Sequence, residues 1–182
     1  MIYHVPFDVE SKRIKMRKTS LNLVENGFKN TKDGYVFSYT TLVKGEVEQV
    51  WDFFSRPKNI ELVNPVSSHV FVDLSIEDQV VEGFLFAIKM KVLKFFTQKI
   101  KTKVVKVTAP NYFQDIQEKG AFKSWKHEHF FTQEKENTVV KDVITFQIPF
   151  GIIGRLFFKF YLKKELSTTF KYRVERLNVL FE

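Results

Sequence analysis

Two histidines and two aspartates in the second half of the chain have the types and the spacing to do chemistry. His127 and His129 are two residues apart, so they share one face if their segment is a strand, and Asp115 and Asp142 lie on the segments before and after it. With hairpin connections, Asp115 stands opposite His127 and Asp142 stands opposite His129. A carboxylate can orient an imidazole that acts as a general base, and two histidines with carboxylates can ligate zinc or iron.

Three interpretations of this group are open from the residues alone. The first is a satisfied polar network that fixes strand register in an aromatic core, because buried charges need partners. The second is a polar floor that orients a ligand inside an apolar cavity, the usual layout of a small-molecule site. The third is catalysis or metal binding. No Ser or Cys stands in a recognised nucleophile motif, so we assign no catalytic residue and expect neither a metal ion nor another cofactor.

Alternation of apolar and polar residues predicts the strands that position these side chains. The candidate strands are residues 35–43, 69–73, 79–84, 84–92, 97–107, 111–118, 124–132 and 138–148. On the clearest of them one face is apolar and the other is rich in lysine, which is typical of an antiparallel sheet with one buried face. We interpret the outer lysines as solvated, and they also hinder edge-to-edge aggregation.

Helical periodicity predicts two short helices, at 46–54 and 58–63, and one long helix over 151–182. The long helix follows the break at Pro149-Phe150-Gly151, which no helix runs through. Its apolar stripe consists of Ile152, Leu156, Phe160, Phe170, Val174, Leu177 and Phe181. The order of elements predicts an α+β fold, in which a long helix lies across a curved antiparallel sheet of six to seven strands.

A helix that crosses the hollow side of such a sheet encloses a space, and the side chains facing that space are the candidate ligand pocket. The expected pocket residues are Phe86, Ile88, Met90, Phe113, Asp115, Trp125, His127, His129, Asp142, Ile144, Phe146, Leu156, Phe160 and Phe170.

Composition sets the broad class of the protein. The chain has 182 residues, of which 44% are hydrophobic, with no cysteine and a net charge of +8. These values exclude a disulfide framework and a disordered chain, and they favour anionic partners in general. The beginning of the chain lacks the apolar run of a signal peptide, so we expect a cytoplasmic protein. We divide the chain into a basic extension, 1–34, and one ligand-binding domain, 35–182.

A family resemblance covers residues 35–182. VEQVWDFF at 47–54, followed by PKNIELVNP at 57–65, is similar to the family's first helix pair, and four further segments carry the resemblance. They are FQDIQEKG at 113–120, FKSWKHEHFF at 122–131, TVVKDVITFQIPFGIIG at 138–154 and FKYRVERL at 170–177. With them the chain resembles the ligand-binding, polyketide-cyclase-like branch of the START-like, helix-grip superfamily (SRPBCC). The resemblance implies a curved sheet that grips the C-terminal helix, with two short helices after the first strand. It also implies a hydrophobic class of ligand but no single activity, because a fold does not fix a function.

Three functions follow as hypotheses. The leading one is binding, and through it transport or sequestration, of a small hydrophobic or lipid-like molecule. The second is a cyclase-like or hydrolase-like enzyme that uses an Asp–His pair in the same cavity. The third is a peripheral protein that delivers lipid at an anionic membrane surface, because residues 155–164 combine apolar side chains with cations. Nucleic acid is not expected, since the lysine-rich strand faces lack aromatic residues for base stacking.

Overall fold

The computed structural model describes residues 26–65, 71–74, 79–92 and 96–182. Most of the basic extension predicted at 1–34, up to residue 25, and part of the strand predicted at 69–73 lie outside these ranges. The division of the chain at residue 34 stays a prediction. The structure adds that Gly27–Asn30, at the end of that extension, forms a strand of the main sheet.

One antiparallel sheet of eight strands contains all the strands of the described residues, in the order β1-β2-β8-β7-β6-β5-β4-β3. The strands are β1 Gly27–Asn30, β2 Tyr35–Lys44, β3 Phe71–Leu74, β4 Leu85–Val92, β5 Phe96–Thr108, β6 Tyr112–Lys119, β7 Ser124–Glu134 and β8 Asn137–Gln147. The count exceeds the predicted six to seven. Register shifts in the β5–β6 pairing, between Lys101 and Thr102 and between Val104 and Lys106, are of the kind that bends and twists a sheet.

The strand predicted at 79–84 is wrong. Those residues form a turn, in which the Phe84 N–H donates to the Val81 carbonyl and Gly83 has a positive φ of 88°. The Val80 N–H donates to the carbonyl of Ser55 instead of to a neighbouring strand. The alternation of apolar residues that suggested a strand arises because Val80 and Phe84 both face the core from within a turn.

The two predicted hairpin registers are confirmed. Asp115 is paired with His127 across β6 and β7, and His129 is paired with Asp142 across β7 and β8. The β7–β8 hairpin turns at Lys135-Glu136, where Lys135 takes the left-handed conformation with φ 57°. These registers place both aspartates and both histidines on the same face of three adjacent strands.

The helices lie on that face. Helix α1 (Val47–Phe54), a 3₁₀ turn (Pro57–Asn59) and helix α2 (Ile60–Val63) lead the chain from β2 to β3, at the far edge of the sheet. The Gln133 side chain on β7 accepts a hydrogen bond from the Val47 N–H over 2.7 Å and thereby caps α1. The Arg176 Nε atom donates to the Leu62 carbonyl over 3.2 Å, which ties α2 to the last helix.

The predicted long C-terminal helix is confirmed. It consists of α3 (Gly151–Phe157), a π turn (Phe158–Leu162) and α4 (Lys163–Leu180). The sheet, the two short helices and this helix together form the predicted α+β helix-grip architecture. None of the helices in the described ranges is both long and apolar enough to cross a membrane.

Candidate functional site

A cavity of about 180 Å³ lies between the sheet, the α1–α2 segment and α4. Its walls are mostly apolar, and five charged or ionisable groups line it: three from β6 and β7, Arg173 from α4, and Arg56 from the segment after α1. The sheet contributes Phe86, Ile88, Ile100, Thr102, Phe113, Asp115, Trp125, His127, His129 and Ile144 to the lining. The helical segments and the turn before β4 contribute Phe53, Phe54, Arg56, Pro57, Asn59, Ile60, Val63, Asn64, Val80, Leu166, Thr169, Phe170 and Arg173.

The structure brings most of the predicted pocket residues together. Those that line the cavity are Phe86, Ile88, Phe113, Asp115, Trp125, His127, His129, Ile144 and Phe170. Asp142 and Phe146 also face inward, but neither is part of the lining, and both are almost completely buried. Met90 lies on β4, and its side chain is outside the described part of the chain.

Leu156 and Phe160 were wrongly placed in the pocket. Their side chains are 51% and 72% exposed, and neither lines the cavity. The inward positions of this part of the helix are instead Gly154, Phe158 and Leu162, which continue to Leu166 and Phe170 at a constant spacing of four.

The π turn explains this error. In an α-helix, residues four apart overshoot one full turn by about 40°, so a stripe with constant spacing of four rotates around the helix. A π turn uses i→i+5 hydrogen bonds and therefore takes up more residues per turn. The turn at Phe158–Leu162 keeps this stripe facing the sheet and leaves the predicted stripe, through Ile152, Leu156 and Phe160, facing solvent.

Three polar contacts link the aspartates and histidines, and two of them cross between the registered pairs. His127 Nε2 lies 2.9 Å from Asp142 Oδ1, and His129 Nε2 lies 3.1 Å from Asp115 Oδ2. His129 Nδ1 is 2.9 Å from Asp142 Oδ1, but this contact lacks the alignment of a hydrogen bond. His129 therefore lies between two carboxylates, while its ring stacks on Phe113 with centroids 4.0 Å apart.

Arg173 completes this cluster from the helix side. Its guanidinium lies over the Phe170 ring, 4.6 Å from the centroid, and its Nη1 atom is 3.9 Å from Asp142 Oδ1. The Nη2 atom donates to Asn64 Oδ1 over 3.3 Å, whereas the buried Nε atom has no hydrogen-bond partner among the residues that the structure describes. We call Asp115, His127, His129, Asp142 and Arg173 the polar cluster.

The fold around this cluster matches known structures, although neither of the two comparisons by sequence found a match. No protein-family model and no curated protein matches the chain. A START superfamily protein from Mycobacterium smegmatis superimposes with a TM-score of 0.61 at 12% identity, over 81% of this chain and 97% of that chain. The chain has the START-like helix-grip fold.

Two further structures support the START-like fold. Major latex-like protein 151 from Panax ginseng matches with a TM-score of 0.61 at 12% identity, over 81% of this chain and 97% of that chain. A protein from Arthrobacter aurescens matches with a TM-score of 0.64 at 12% identity, over 83% and 90% respectively. At such identities the likeness concerns the fold alone, so membership of the polyketide-cyclase-like branch stays a prediction.

Within this START-like fold, the surroundings shift the pKa values of the two histidines in opposite directions. Burial, followed by the charge of the neighbouring His129, lowers the pKa of His127 below its ordinary value. Burial alone would also lower the pKa of His129, but its contacts with Asp115 and Asp142 outweigh burial and raise it. Burial opposes ionisation of Asp142 as well, yet its contacts with both histidines and their charges hold its pKa below the usual range.

These opposing shifts favour the protonated form of His129 and the neutral form of His127. In that state the carboxylates of Asp115 and Asp142 face two cations, the guanidinium of Arg173 and the His129 ring. Burial lowers the pKa of Arg173 as well, against the charges of Asp142 and Asp115, but an arginine keeps its proton in proteins. A buried cluster without net charge avoids the large cost of an uncompensated buried ion.

Asp115, His127 and His129 could also hold a metal ion. Each offers one ligand atom, and these atoms lie within 4.8 Å of one another. Ligands at about 2.1 Å from a common ion are at most about 4.2 Å apart, so the three side chains would need to close slightly around it. Asp142, which contacts both imidazoles, would then orient the two histidine ligands, as carboxylates do in many metal sites.

Apart from Phe170, the helical residues that line the cavity were not among the predicted pocket residues. The most informative are Leu166, Phe170 and Arg173, whose spacing of four and three places them on one face of α4. Of these, only Phe170 was predicted. An arginine three residues after a core phenylalanine was the available signal, because its position on the buried face requires an anionic partner.

Proposed function

We propose that this chain binds a compact hydrophobic molecule with a neutral polar end, in the cavity between the sheet and α4. The observation that carries the proposal is the combination of apolar walls with one buried polar cluster, inside a space of about 180 Å³. This layout is typical of small-molecule sites, in which few polar groups fix the orientation of a mostly apolar ligand. The role that fits is transport or sequestration.

The size of the cavity supports a compact ligand. Engineered apolar cavities of about 150 Å³ bind benzene, so a space of this size accommodates a ring or a short branched chain. A long-chain lipid would require the α1–α2 segment or the last helix to move outward.

The charge balance of the polar cluster supports a neutral polar end. A ligand carboxylate or ammonium beside a cluster without net charge would introduce an unpaired buried ion. A hydroxyl or carbonyl group adds no charge, and its oxygen can accept a hydrogen bond from the buried Nε donor of Arg173, which has no partner in the described part of the chain.

Two adjacent threonines allow a matched test. Thr169 lines the cavity, whereas Thr168 is exposed on the same helix. Thr169→Phe should fill the cavity and weaken the binding of an apolar fluorescent probe by about tenfold or more, because added core volume excludes a ligand. Thr168→Phe should leave binding unchanged, and native mass spectrometry should detect a co-purified molecule only in Thr168→Phe and in the unsubstituted protein. Equal binding by both variants, or none by the unsubstituted protein, would contradict the proposal.

A second candidate function is acid–base catalysis on the bound molecule. His127 lines the cavity, is hydrogen-bonded to Asp142 and has a lowered pKa, so near neutral pH it is unprotonated, as a general base must be. If the protein converts the molecule found by mass spectrometry, His127→Gln should lower turnover by about a hundredfold or more and change its affinity by no more than about threefold. Parallel losses of turnover and affinity would instead assign His127 to binding.

A further inference from the structure

A second surface of the protein is unusually apolar and lies outside the cavity. Five large apolar side chains are more than half exposed within eleven residues: Phe150 at 80%, Ile152 at 67%, Ile153 at 74%, Leu156 at 51% and Phe160 at 72%. They extend from the residue before α3, through α3, into the π turn. We call residues 149–164 the basic apolar tip.

This exposure is not a requirement of the fold. The inward side of the same segment is already occupied by Phe158, which stacks on Tyr35 with ring centroids 3.8 Å apart and is nearly buried. Exposed apolar residues scattered singly are normal, but a contiguous group of this kind marks an interaction surface.

The backbone also holds an apolar ring outward at the second position of the basic apolar tip. Phe150 takes the left-handed conformation with φ 69°, which is unfavourable for a residue with a bulky side chain. The Phe150 side chain is nevertheless the most exposed large apolar group in the described ranges. Strain at an exposed aromatic residue is more often retained for function than for stability.

Charge identifies the class of partner. The basic apolar tip contains Arg155, Lys159, Lys163 and Lys164 and no acidic residue. Residues 1–25 of the chain have five basic and three acidic side chains, so they carry charge of the same sign and are a poor match. A second copy would bring two cationic tips together. An anionic surface that also accepts apolar side chains is the complementary partner.

We propose that the basic apolar tip docks on anionic phospholipid membranes, with Phe150, Ile153 and Phe160 inserted between the headgroups and the four cations near the lipid phosphates. Aromatic and aliphatic side chains beside lysine and arginine are the composition of helices that bind at the membrane interface. The inference does not depend on what occupies the cavity. If both proposals hold, a ligand-binding domain docks on the membrane through its last helix.

The test is co-sedimentation of the full chain with vesicles of phosphatidylcholine alone or with about a third phosphatidylserine, a composition rich enough in anionic lipid to attract clustered cations. The unsubstituted protein should bind only the anionic vesicles. Phe150→Ser with Phe160→Ser should weaken binding by about tenfold or more, since each phenylalanine loses its apolar burial. Leu42→Ser with Val179→Ser, at exposed apolar positions elsewhere, should leave binding unchanged. Equal binding to both kinds of vesicle, or equal loss in both variants, would overturn the proposal.

A charge-matched pair of variants separates docking by this surface from general attraction of a basic protein. Lys159→Glu with Lys164→Glu should weaken binding to the anionic vesicles by about tenfold or more, because each lysine near such a surface contributes several-fold. Lys89→Glu with Lys101→Glu changes the net charge equally on the outer face of the sheet and should have a much smaller effect. Equal losses would show that net charge alone drives binding, and the proposal would fail.

The absence of cysteine allows the occupant of this surface to be identified directly. An environment-sensitive dye on Ile153→Cys should report water in the free protein and shift to the blue on addition of anionic vesicles, whereas a dye on Val179→Cys should not shift. A blue-shifted signal without vesicles would overturn the proposal in one of two ways. If it is independent of protein concentration, the chain covers its own surface, and if it grows with concentration, a second copy does.

Discussion

The two halves of the C-terminal helix carry large apolar side chains to opposite destinations. In α4, Leu166, Phe170 and Leu177 face the sheet, and Phe170 and Leu177 are buried. In α3 and the π turn, Leu156 and Phe160 belong to the same predicted stripe but face solvent. The comparison shows that apolar periodicity identifies a surface suited to burial but not what buries it. In the first half of the helix, the predicted apolar stripe does not contact the sheet of this protein.

The comparison predicts a large difference in stability between two phenylalanines of one helix. Phe170→Ala should lower the free energy of unfolding by about 3–5 kcal/mol, because it removes a buried ring beside the cavity. Phe160→Ala should change it by no more than about 0.5 kcal/mol, because that ring is already exposed in the folded protein. Denaturant titration of both variants measures the difference. Similar losses would mean that the start of the helix is packed against another part of the chain.

The cavity side of the molecule can be tested further through the pH dependence of the free energy of unfolding. The pKa of His127 is lowered by folding, so the unfolded chain binds its proton first and stability falls as the pH drops through about 6.5. The pKa of His129 is raised, so its contribution is present below about pH 6.5 and is lost as the pH rises through the folded value.

Glutamine variants should therefore show opposite trends. When the pH is lowered from about 8 to about 5.5, His127→Gln should become more stable relative to the unsubstituted protein by about 1 kcal/mol. When the pH is raised over the same range, His129→Gln should become more stable relative to the unsubstituted protein, also by about 1 kcal/mol. Denaturant titrations at both pH values measure this, and the double variant should lose both trends. Trends of the same sign would contradict the division of the cluster into one neutral and one protonated histidine.

The smallest effect on stability is expected at Phe150, the residue before α3. Phe150→Gly should stabilise the fold by about 0.5 kcal/mol, because glycine takes the left-handed conformation without steric cost. The same substitution at Ile153, inside α3, should destabilise it by about 1 kcal/mol. Thermal unfolding of both variants, together with vesicle binding, would test whether strain at Phe150 is exchanged for membrane contact. A destabilised Phe150→Gly would mean that the ring packs within the protein.

Much of the cavity-facing side of the sheet was predictable because strand periodicity and hairpin length are local properties. The pairing of Asp115 with His127 and of His129 with Asp142 followed from two short connections, and both registers are confirmed. The cavity-facing positions of Phe86, Phe113 and Ile144 followed from alternation along their strands. The cytoplasmic location and the absence of a nucleic-acid partner stay predictions.

The sequence by itself determined most of the order of elements, the registers of two hairpins and the inward face of the strands that they join, because these depend on residues close together along the chain. Only the tertiary structure decided which side of the last helix meets the sheet, because a π turn rephases the helix without a distinct sequence pattern. It also decided that Arg173 joins the polar cluster, because contacts among α4, α2 and β8 depend on how distant elements pack. Helix phase and long-range packing are global properties, and they separate the cavity from the exposed tip.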